Sequence, residues 1–371
     1  LKVLHFFKTY YPRTMGGVEQ FIFQLSEGGR AHGITAQVLS LSEHGASRNV
    51  EVGEHLAHTS KLDLNIASTG FSLSAFKDFH ELVEGVDIIN YHFPWPFMDV
   101  VHFATRVRKP TVVSYHSDIV KQKTLLKFYR PLMNKFLSNV DRIIATSPKY
   151  VETSPVLQHF LDKVTVIPIG LGRGTYPQVS PEKLKHWNTI FQGRFFLFVG
   201  ALRYYKGLEY LLEAARTVHF PIVILGQGPM ELQLKAQAIK LGLTNVHFLG
   251  GLPDEDKTAL LTLCFGLVFP SHLRSEAFGV SLLEAAMFSK PLISCEIGTG
   301  TTYINIAGET GLVVPPGDTH ALAQAMIWLW ENPVESQAMG VRAALRFEKE
   351  FTANQMVDSY AQVYRSLLST A

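Results

Sequence analysis

Short apolar runs separated by longer amphipathic stretches recur along the whole of this chain, and that alternation restricts its fold more than any other feature. In the first half the runs are Val3 to Phe7, Ala36 to Leu41, Val86 to Tyr91, Thr111 to Tyr115, Arg142 to Thr146 and Val164 to Ile167. In the second they are Phe195 to Val199, Ile222 to Leu225, Val246 to Leu249, Gly266 to Phe269, Leu292 to Cys295 and Leu312 to Val314. A strand that is apolar along its whole length is buried on both faces, as a parallel strand is between crossover helices. Each half therefore reads as a doubly wound α/β domain. The segment Pro168 to Pro177 is dense in Gly and Pro, lacks periodicity and marks the linker. The expected division is 1–171 and 172–351, followed by a final helix within 352–371, where Met356, Tyr360, Val363 and Leu367 recur at helical spacing. The pattern leaves open which domain that helix packs on, a crossing back to the first being one arrangement.

The chain has 371 residues and 47% hydrophobic content, enough to build two cores. Lys plus Arg at 34 against Asp plus Glu at 32 gives no basic excess, so nucleic acid is not an expected partner. Cys264 and Cys295 lie in apolar surroundings without CxxC or histidine spacing, and read as plain buried thiols rather than metal ligands. No apolar run approaches the ~18 residues that span a bilayer, and the first residues carry no signal pattern. The expected location is the cytoplasm.

Open α/β sheets bind ligands beyond the carboxyl ends of their strands, and two such sheets facing one another would enclose an inter-domain cleft. After the first strand, Tyr10 to Phe21 carries the pair Gly16 and Gly17 ahead of an amphipathic run with Phe21, Leu25 and Gly28 on one face. Free N–H groups at such a helix start suit a phosphate, while a tight turn serving packing alone is the other reading. In the second half, Arg203 and Lys206 follow the strand Phe195 to Val199. They would clamp a diphosphate and stabilise the charge on a nucleoside diphosphate leaving group, or else form a solvated surface pair. Gly226-Gln227-Gly228-Pro229-Met230 lacks the third glycine of a dinucleotide fingerprint, since Glu231 takes its place, and Pro229 suits the first turn of a helix.

The segment Ser275 to Glu284 carries two glutamates eight residues apart. With a helix starting near Gly279, Glu276 sits at its mouth and Glu284 about two turns in. Carboxylates accept charge-assisted hydrogen bonds from vicinal hydroxyls, so one would meet a sugar and the other a ribose. A solvated helix face is the ordinary alternative for Glu284. His116 ends the strand Thr111 to Tyr115, followed by Ser117 and Asp118, which would orient it or approach an acceptor. His92 holds the analogous place one strand earlier, ahead of Trp95. From Ile119 to Val140, Lys121, Lys123, Lys127, Arg130 and Lys135 interleave with apolar residues at helical spacing and no acidic residue. That stretch reads as a helix resting on an anionic membrane, or as a core-facing helix with a solvated basic face.

Taken in order, Gly16-Gly17, His116, Arg203 with Lys206, and the E-x7-E motif at Glu276 and Glu284 resemble the enzymes of glycosyltransferase family 4, over nearly the whole chain. The resemblance implies the GT-B fold, two facing Rossmann-like doubly wound α/β domains with an inter-domain cleft. It also implies a retaining, metal-independent transfer of a sugar from a nucleotide-sugar donor, with no cofactor. On that analogy Arg203 and Lys206 hold the diphosphate with Gly16 and Gly17 nearby. Glu276 and the backbone of Phe278 and Gly279 touch the donor sugar, Glu284 holds the ribose, and His116 meets the sugar near the reaction centre. Gly251 and Leu252 would face the base, with Lys257 a further contact. The acceptor, lipid-linked or an oligosaccharide, is expected beside His92, Trp95 and Asp118, and the stretch 119–140 against the cytoplasmic face of the inner membrane.

The opening Leu4 to Pro12 with Gly17 to Gln20 looks most like bacterial mannosyl- and rhamnosyltransferases of lipopolysaccharide O-antigen assembly, which points to GDP-mannose as donor. One departure stands out: where such enzymes carry Gly-Gly-x-x-Glu, this chain has Gly298 to Tyr303, with Tyr303 in place of the glutamate, leaving Thr301 and Thr302 as donors. A UDP-sugar donor, a sugar-nucleotide epimerase or phosphorylase of the same fold, and a non-catalytic sugar-nucleotide binder are the competing readings.

Overall fold

The computed structural model describes residues 1–14, 16–66, 69–120 and 123–369, with the backbone alone for 123 and 124. By its contacts the chain divides into two units: Leu1–Gly170 together with Ala353–Ala371, and Leu171–Thr352.

The first unit is built on the strands β1 (Lys2–Phe6), β2 (Thr35–Ser42), β3 (Ser47–Val52), β4 (His55–Lys61), the short pair β5 (Leu64–Ile66) and β6 (Thr69–Phe71), β7 (Ile88–Phe93), β8 (Thr111–Tyr115), β9 (Arg142–Ala145) and β10 (Val164–Val166). Eight of them form one sheet in the order β10-β9-β8-β7-β1-β2-β4-β3. All its pairings are parallel except β3 with β4. Its helices are α1 (Gly17–Gly29), α2 (Ser74–Glu84), α3 (Pro96–Ala104), α4 (Lys123–Asn139) and α5 (Pro148–Thr153).

In the second unit the helices α6 (Pro181–Phe191), α7 (Leu208–Ala215), α8 (Glu231–Lys240), α9 (Asp254–Leu263), α10 (Val280–Met287), α11 (Thr301–Ile304), α12 (Thr319–Glu331) and α13 (Pro333–Glu350) surround a second sheet. Its strands are β11 (Phe196–Val199), β12 (Ile222–Leu225), β13 (Val246–Gly250), β14 (Gly266–Phe269), β15 (Leu292–Cys295) and β16 (Gly311–Val314), all parallel, in the order β13-β12-β11-β14-β15-β16. Phe196, Phe198, Ile222, Ile224, Val268 and Ile293 from the strands pack against Leu211, Leu212, Leu322, Met326 and Leu329 from the helices. The free thiols of Cys264 and Cys295 are buried, and burial pushes them up to about 11 and about 12. Pro229 falls in the turn before α8 rather than inside the helix, which starts two residues later.

β3 and β4 have no counterpart among the apolar runs, because β4 carries polar side chains inward. Its buried Ser60 donates to Asp78 at 2.6 Å, Thr59 pairs with Ser47 at 2.8 Å, and His55 lies 2.8 Å from the Tyr10 hydroxyl. These groups are each answered by another, which lets the strand be buried without being apolar, although Nε2 of the buried His58 in the same strand has no partner among the described residues.

The chain leaves the first unit at Gly170 and returns to it as α14 (Ala353–Ser369), which packs along α1. Met356, Val357, Tyr360, Tyr364 and Leu367 form its buried stripe. Gly28 permits the close approach of the two helices, since a Cβ there would lie 2.6 Å from a methyl of Val357. Gly28→Leu should therefore destabilise the chain by about 1–3 kcal/mol through overpacking, read as a lowered Tm in thermal unfolding; an unchanged Tm would show that the α1–α14 contact is loose.

Candidate functional site

Strand order in the second unit reverses between β11 and β14, and the loops after those two strands are stitched together. The Tyr205 carbonyl accepts from the backbone N–H of His272 at 3.0 Å. Gly207, at φ +68°, takes the left-handed conformation, and a Cβ there would lie 2.1 Å from the Pro270 carbonyl oxygen, so only glycine lets the loops meet so closely. Across this junction the buried Lys206 ammonium donates to Glu276 at 2.5 Å, and Ser271 donates to the same carboxylate oxygen at 3.2 Å. Lys206 also stands 4.7 Å above the Phe269 ring. Arg203, in the same loop, is exposed, and its guanidinium makes no hydrogen bond or ion pair among the described residues. A crevice at a strand-order reversal is where open α/β sheets take ligands, and here it holds one fixed and one available cation.

Gly279 precedes α10 at φ +100°, and Ser281 in the first turn donates to the Val199 carbonyl at 2.7 Å, tying the helix to the end of β11. Glu284 is buried rather than solvated. Its carboxylate accepts from Tyr176 at 2.9 Å and pairs with Lys257 at 3.1 Å, while Lys257 lies 5.3 Å above the Tyr176 ring. Burial pulls Lys257 down, but the charges of Glu284 and Asp254 outweigh it and hold the amine above its usual range. Phe278 packs on Gly300, whose N–H donates to the Ala277 carbonyl at 2.8 Å. Gly251 and Leu252 lie in the loop after β13, with the Gln227 side chain packed on Gly251.

Two expectations about 298–303 need correcting. The hydroxyl of Thr301 is buried and donates to the Cys295 carbonyl at 3.1 Å, and that of Thr302 donates to Glu296 at 3.4 Å, so both are already engaged. Thr299 is instead the residue whose buried hydroxyl lacks a partner among the described residues, as does Nδ1 of His272. Tyr303 packs its ring against Phe351 and Arg346. Ser271, His272, Thr299 and Tyr176 are the residues that sequence reasoning passed over; the signal available for the first two was their place directly after β14.

In the first unit, Gly16 caps α1 and Gly17 begins it. The buried Glu19, held by Thr9 at 2.7 Å, fills the space beside Gly16, where a Cβ would meet its carboxylate at 2.6 Å. His116 follows β8 and His92 lies within β7; His92 Nδ1 and His116 Nε2 are 3.0 Å apart. Asp118 does not orient His116. Its carboxylate accepts from Tyr115 at 2.8 Å and from Ser154 at 2.7 Å, and the partner of His116 is His92. Nor does the acceptor side include Trp95, which is 1% exposed, donates its indole N–H to the Gly70 carbonyl and packs on Phe6 and Phe97. His92 is wholly buried and lies behind His116 rather than at a surface. The two glutamates of the second unit thus fall into two clusters, Lys206–Glu276 and Lys257–Glu284; in the first unit, taken by itself, His116 rests on the buried His92.

Within the basic stretch, Lys121 lies outside the described residues, and for Lys123 only the backbone is described. Met133, Phe136 and Leu137 of α4 turn into the core, whereas Leu125 and Phe128 are exposed beside Lys127 and Arg130. Among the described residues no helix is long and apolar enough to cross a membrane, and no cluster could hold a metal ion.

Burial holds His116 and His5 down to about 3 from an ordinary 6.5, with the charge of His55 adding to the effect on His5. His92 is likewise held well below its ordinary value, by burial and then by His5 and His116. Below pH 6.5 the unfolded histidines take up protons that the folded ones refuse. Stability is therefore complete above that pH and is lost as pH falls towards 3, by up to about 1.4 kcal/mol per pH unit for each group. Thermal unfolding at about pH 7.5 and about pH 5 should show a fall in Tm that shrinks in His5→Gln; a Tm insensitive to pH would contradict the neutral buried cluster.

Residues 15–171 match Glycosyltransferase Family 4 and residues 181–346 match Glycosyl transferases group 1. The chain is 57% identical over 353 residues to the D-rhamnosyltransferase WbpZ of Pseudomonas aeruginosa, covering 95% of this chain and 93% of that one. It is 50% identical over 370 residues to the O-antigen chain mannosyltransferase C of Escherichia coli, covering 100% of both. Among solved structures, sucrose-phosphate synthase from Thermosynechococcus elongatus superposes with a TM-score of 0.81 at 20% identity over 100% of both chains, a likeness of fold. The Anabaena HepE in complex with UDP-glucose gives 0.75 at 18% identity over 98% of this chain and 99% of that one. The chain belongs to glycosyltransferase family 4, and it is a glycosyltransferase of the GT-B fold.

Proposed function

We propose that this enzyme transfers mannose from GDP-mannose, with retention and without a metal, to a hydroxyl of a lipid-linked or oligosaccharide acceptor in O-antigen or other surface-polysaccharide synthesis. The observation that carries the reading is the Lys206–Glu276 pair at the strand-order reversal of the second unit, with the available guanidinium of Arg203 beside it. On this reading Arg203 and Lys206 bind the diphosphate and stabilise the charge that collects on GDP as the glycosidic bond breaks. Glu276, with the backbone of Phe278 and Gly279, receives the sugar hydroxyls. Glu284 receives the ribose, and Gly251 and Leu252 flank the base. Gly16 and Gly17 approach the diphosphate, and His116 meets the sugar.

The identity to O-antigen chain mannosyltransferase C supports mannose as the sugar moved. The higher identity to a D-rhamnosyltransferase supports a second reading, in which the sugar is D-rhamnose on the same nucleotide. D-Rhamnose is mannose lacking the 6-hydroxyl, so the two readings differ in whether the site answers that one group. Incubation with GDP-mannose, GDP-D-rhamnose and UDP-glucose and a lipid-linked oligosaccharide acceptor, with and without a chelator, separates them. We expect GDP release from GDP-mannose that chelation does not alter, and a loss of kcat/KM of about 100-fold in Lys206→Ala and in Arg203→Ala. Turnover of UDP-glucose alone, abolition by the chelator, or full activity in both variants would overturn this assignment.

The α4 face formed by Leu125 and Phe128 with Lys127, Arg130 and Lys135 supports a peripheral contact with the anionic cytoplasmic face of the inner membrane. At roughly 1 kcal/mol for each basic residue near such a surface, neutralising Lys127, Arg130 and Lys135 together should weaken binding to anionic liposomes by at least tenfold. Equal sedimentation of the triple variant and the native enzyme with those liposomes would remove the membrane from this reading.

A further inference from the structure

His5, His92 and His116 stand on three neighbouring parallel strands or at their ends, and the register puts them on one face. His5 is opposite Asn90, and His92 is opposite Ser114. Residues two apart in a strand share a face, so His5, Asn90, His92, Ser114 and His116 all point the same way. Helix α14 covers that side with Tyr360 and Tyr364, and Phe21 of α1 lies edge-on to His116 at 5.0 Å.

The polar atoms form an unbroken buried line. Tyr360 and Ser114 hydroxyls are 2.8 Å apart, and Ser114 donates to Oδ1 of Asn90 at 3.1 Å. The Asn90 amide nitrogen donates to the Tyr364 hydroxyl at 2.9 Å and stands 3.4 Å from Nδ1 of His5. His5 Nδ1 and His92 Nε2 are 3.0 Å apart, as are His92 Nδ1 and His116 Nε2, and the last two rings lie within 13° of parallel.

A neutral imidazole has one donor nitrogen and one acceptor, so a hydrogen placed at one end of such a line fixes every other. Ser114 takes the Asn90 oxygen and thereby turns the amide nitrogen towards His5, whose Nδ1 must then be bare. His92 then carries its hydrogen on Nε2 and donates to that same lone pair of His5, which it shares with the longer contact from Asn90; its own Nδ1 is bare, and His116 must carry hydrogen on Nε2. Nδ1 of His116, which no described residue hydrogen-bonds, is left as an acceptor at the carboxyl end of β8.

We infer that Asn90, His5 and His92 are positioning residues, which lock His116 as the Nε2–H tautomer and so present Nδ1 as a hydrogen-bond acceptor. The consequence for catalysis rests on the reading of His116 as a contact of the donor sugar: it would receive a sugar hydroxyl rather than donate to one. The lock itself does not depend on that reading.

The imidazole nitrogen shifts of the ¹⁵N-labelled enzyme at neutral pH, assigned with His116→Gln, test the lock directly. The native enzyme should show His116 as one tautomer, with Nε2 protonated and Nδ1 bare. In Asn90→Asp a carboxylate faces His5, which must then donate from Nδ1; the whole line reverses, and His116 should become the Nδ1–H tautomer. A native His116 protonated on Nδ1, or a folded Asn90→Asp whose His116 is unchanged, would overturn the inference. If Asn90→Asp does not fold, His92→Phe severs the line, and His116 should then exchange between tautomers; a spectrum identical to the native one would be equally fatal. On the kinetic side, reversing the hydrogen bond should lower kcat/KM with the sugar donor about tenfold. Reversal of the tautomer with full transfer activity would leave the lock standing and remove His116 from the donor site instead.

Discussion

A parallel strand covered on both faces has no water to answer its polar side chains, and each such group must find a partner inside the protein. The first unit meets that constraint in the open middle of its sheet. His5, Asn90, His92 and Ser114 are all within 1% of complete burial, and each is hydrogen-bonded to the next or to a tyrosine of α14. The helix that closes the chain is thereby fixed by specific polar bonds in addition to its apolar stripe. Losing one member would strand its neighbour without a partner, which costs more than the bond itself contributes.

The second unit handles the same constraint differently. Apart from His247 of β13 and Ser294 of β15, whose hydroxyl accepts from Asn305 at 2.9 Å, its strands are apolar, and most of its polar chemistry is deferred to the loops at their carboxyl ends. Those loops are rigid because backbone holds backbone: Leu202 with Gln227, Tyr205 with His272, Gly207 against Pro270. A charge pair such as Lys206–Glu276 needs such support, since a nearly dry ion pair is favourable only when its geometry is fixed and its remaining lone pairs are answered. Ser271 supplies one of those answers. On the proposed donor assignment, a diphosphate would meet a cation already held in place, at no cost in reorganisation.

The α/β architecture was legible because burial on both faces writes itself into the sequence as continuous apolar runs. Where burial is achieved by pairing polar groups the signal disappears, and β4 was missed for that reason, while its partner β3 is a largely exposed edge strand. The same logic explains the candidate site residues. Position after a strand located Arg203, Lys206, Glu276 and His116, but position says nothing about which way a side chain turns. Asp118 turns to Tyr115 and Ser154, Trp95 into the core, and Thr301 to a backbone carbonyl. The tripeptides Asn90-Tyr91-His92 and Ser114-Tyr115-His116 did carry a readable hint, since each places two polar residues at alternate positions near the end of an otherwise apolar strand. What converts that hint into a network is the register between β1, β7 and β8, which depends on residues far apart in the chain.

The two glutamates of the E-x7-E motif illustrate the difference between a motif and an environment. Both were expected to accept hydroxyls, and Glu284 carried the competing reading of a solvated helix face. It is instead buried, and the two carboxylates are set up alike: each has a lysine on one side and a hydroxyl on the other, Lys206 with Ser271 for Glu276 and Lys257 with Tyr176 for Glu284. Lys206 and Tyr176 lie 70 and 108 residues from the glutamates they hold, so each carboxylate is a point where separate elements of the unit converge. A group gripped in this way keeps its direction when a ligand arrives, and its unused lone pairs are presented at a fixed angle. That suits the recognition of hydroxyls better than the transfer of protons, for which a carboxylate must be free to change its bonding as the reaction proceeds.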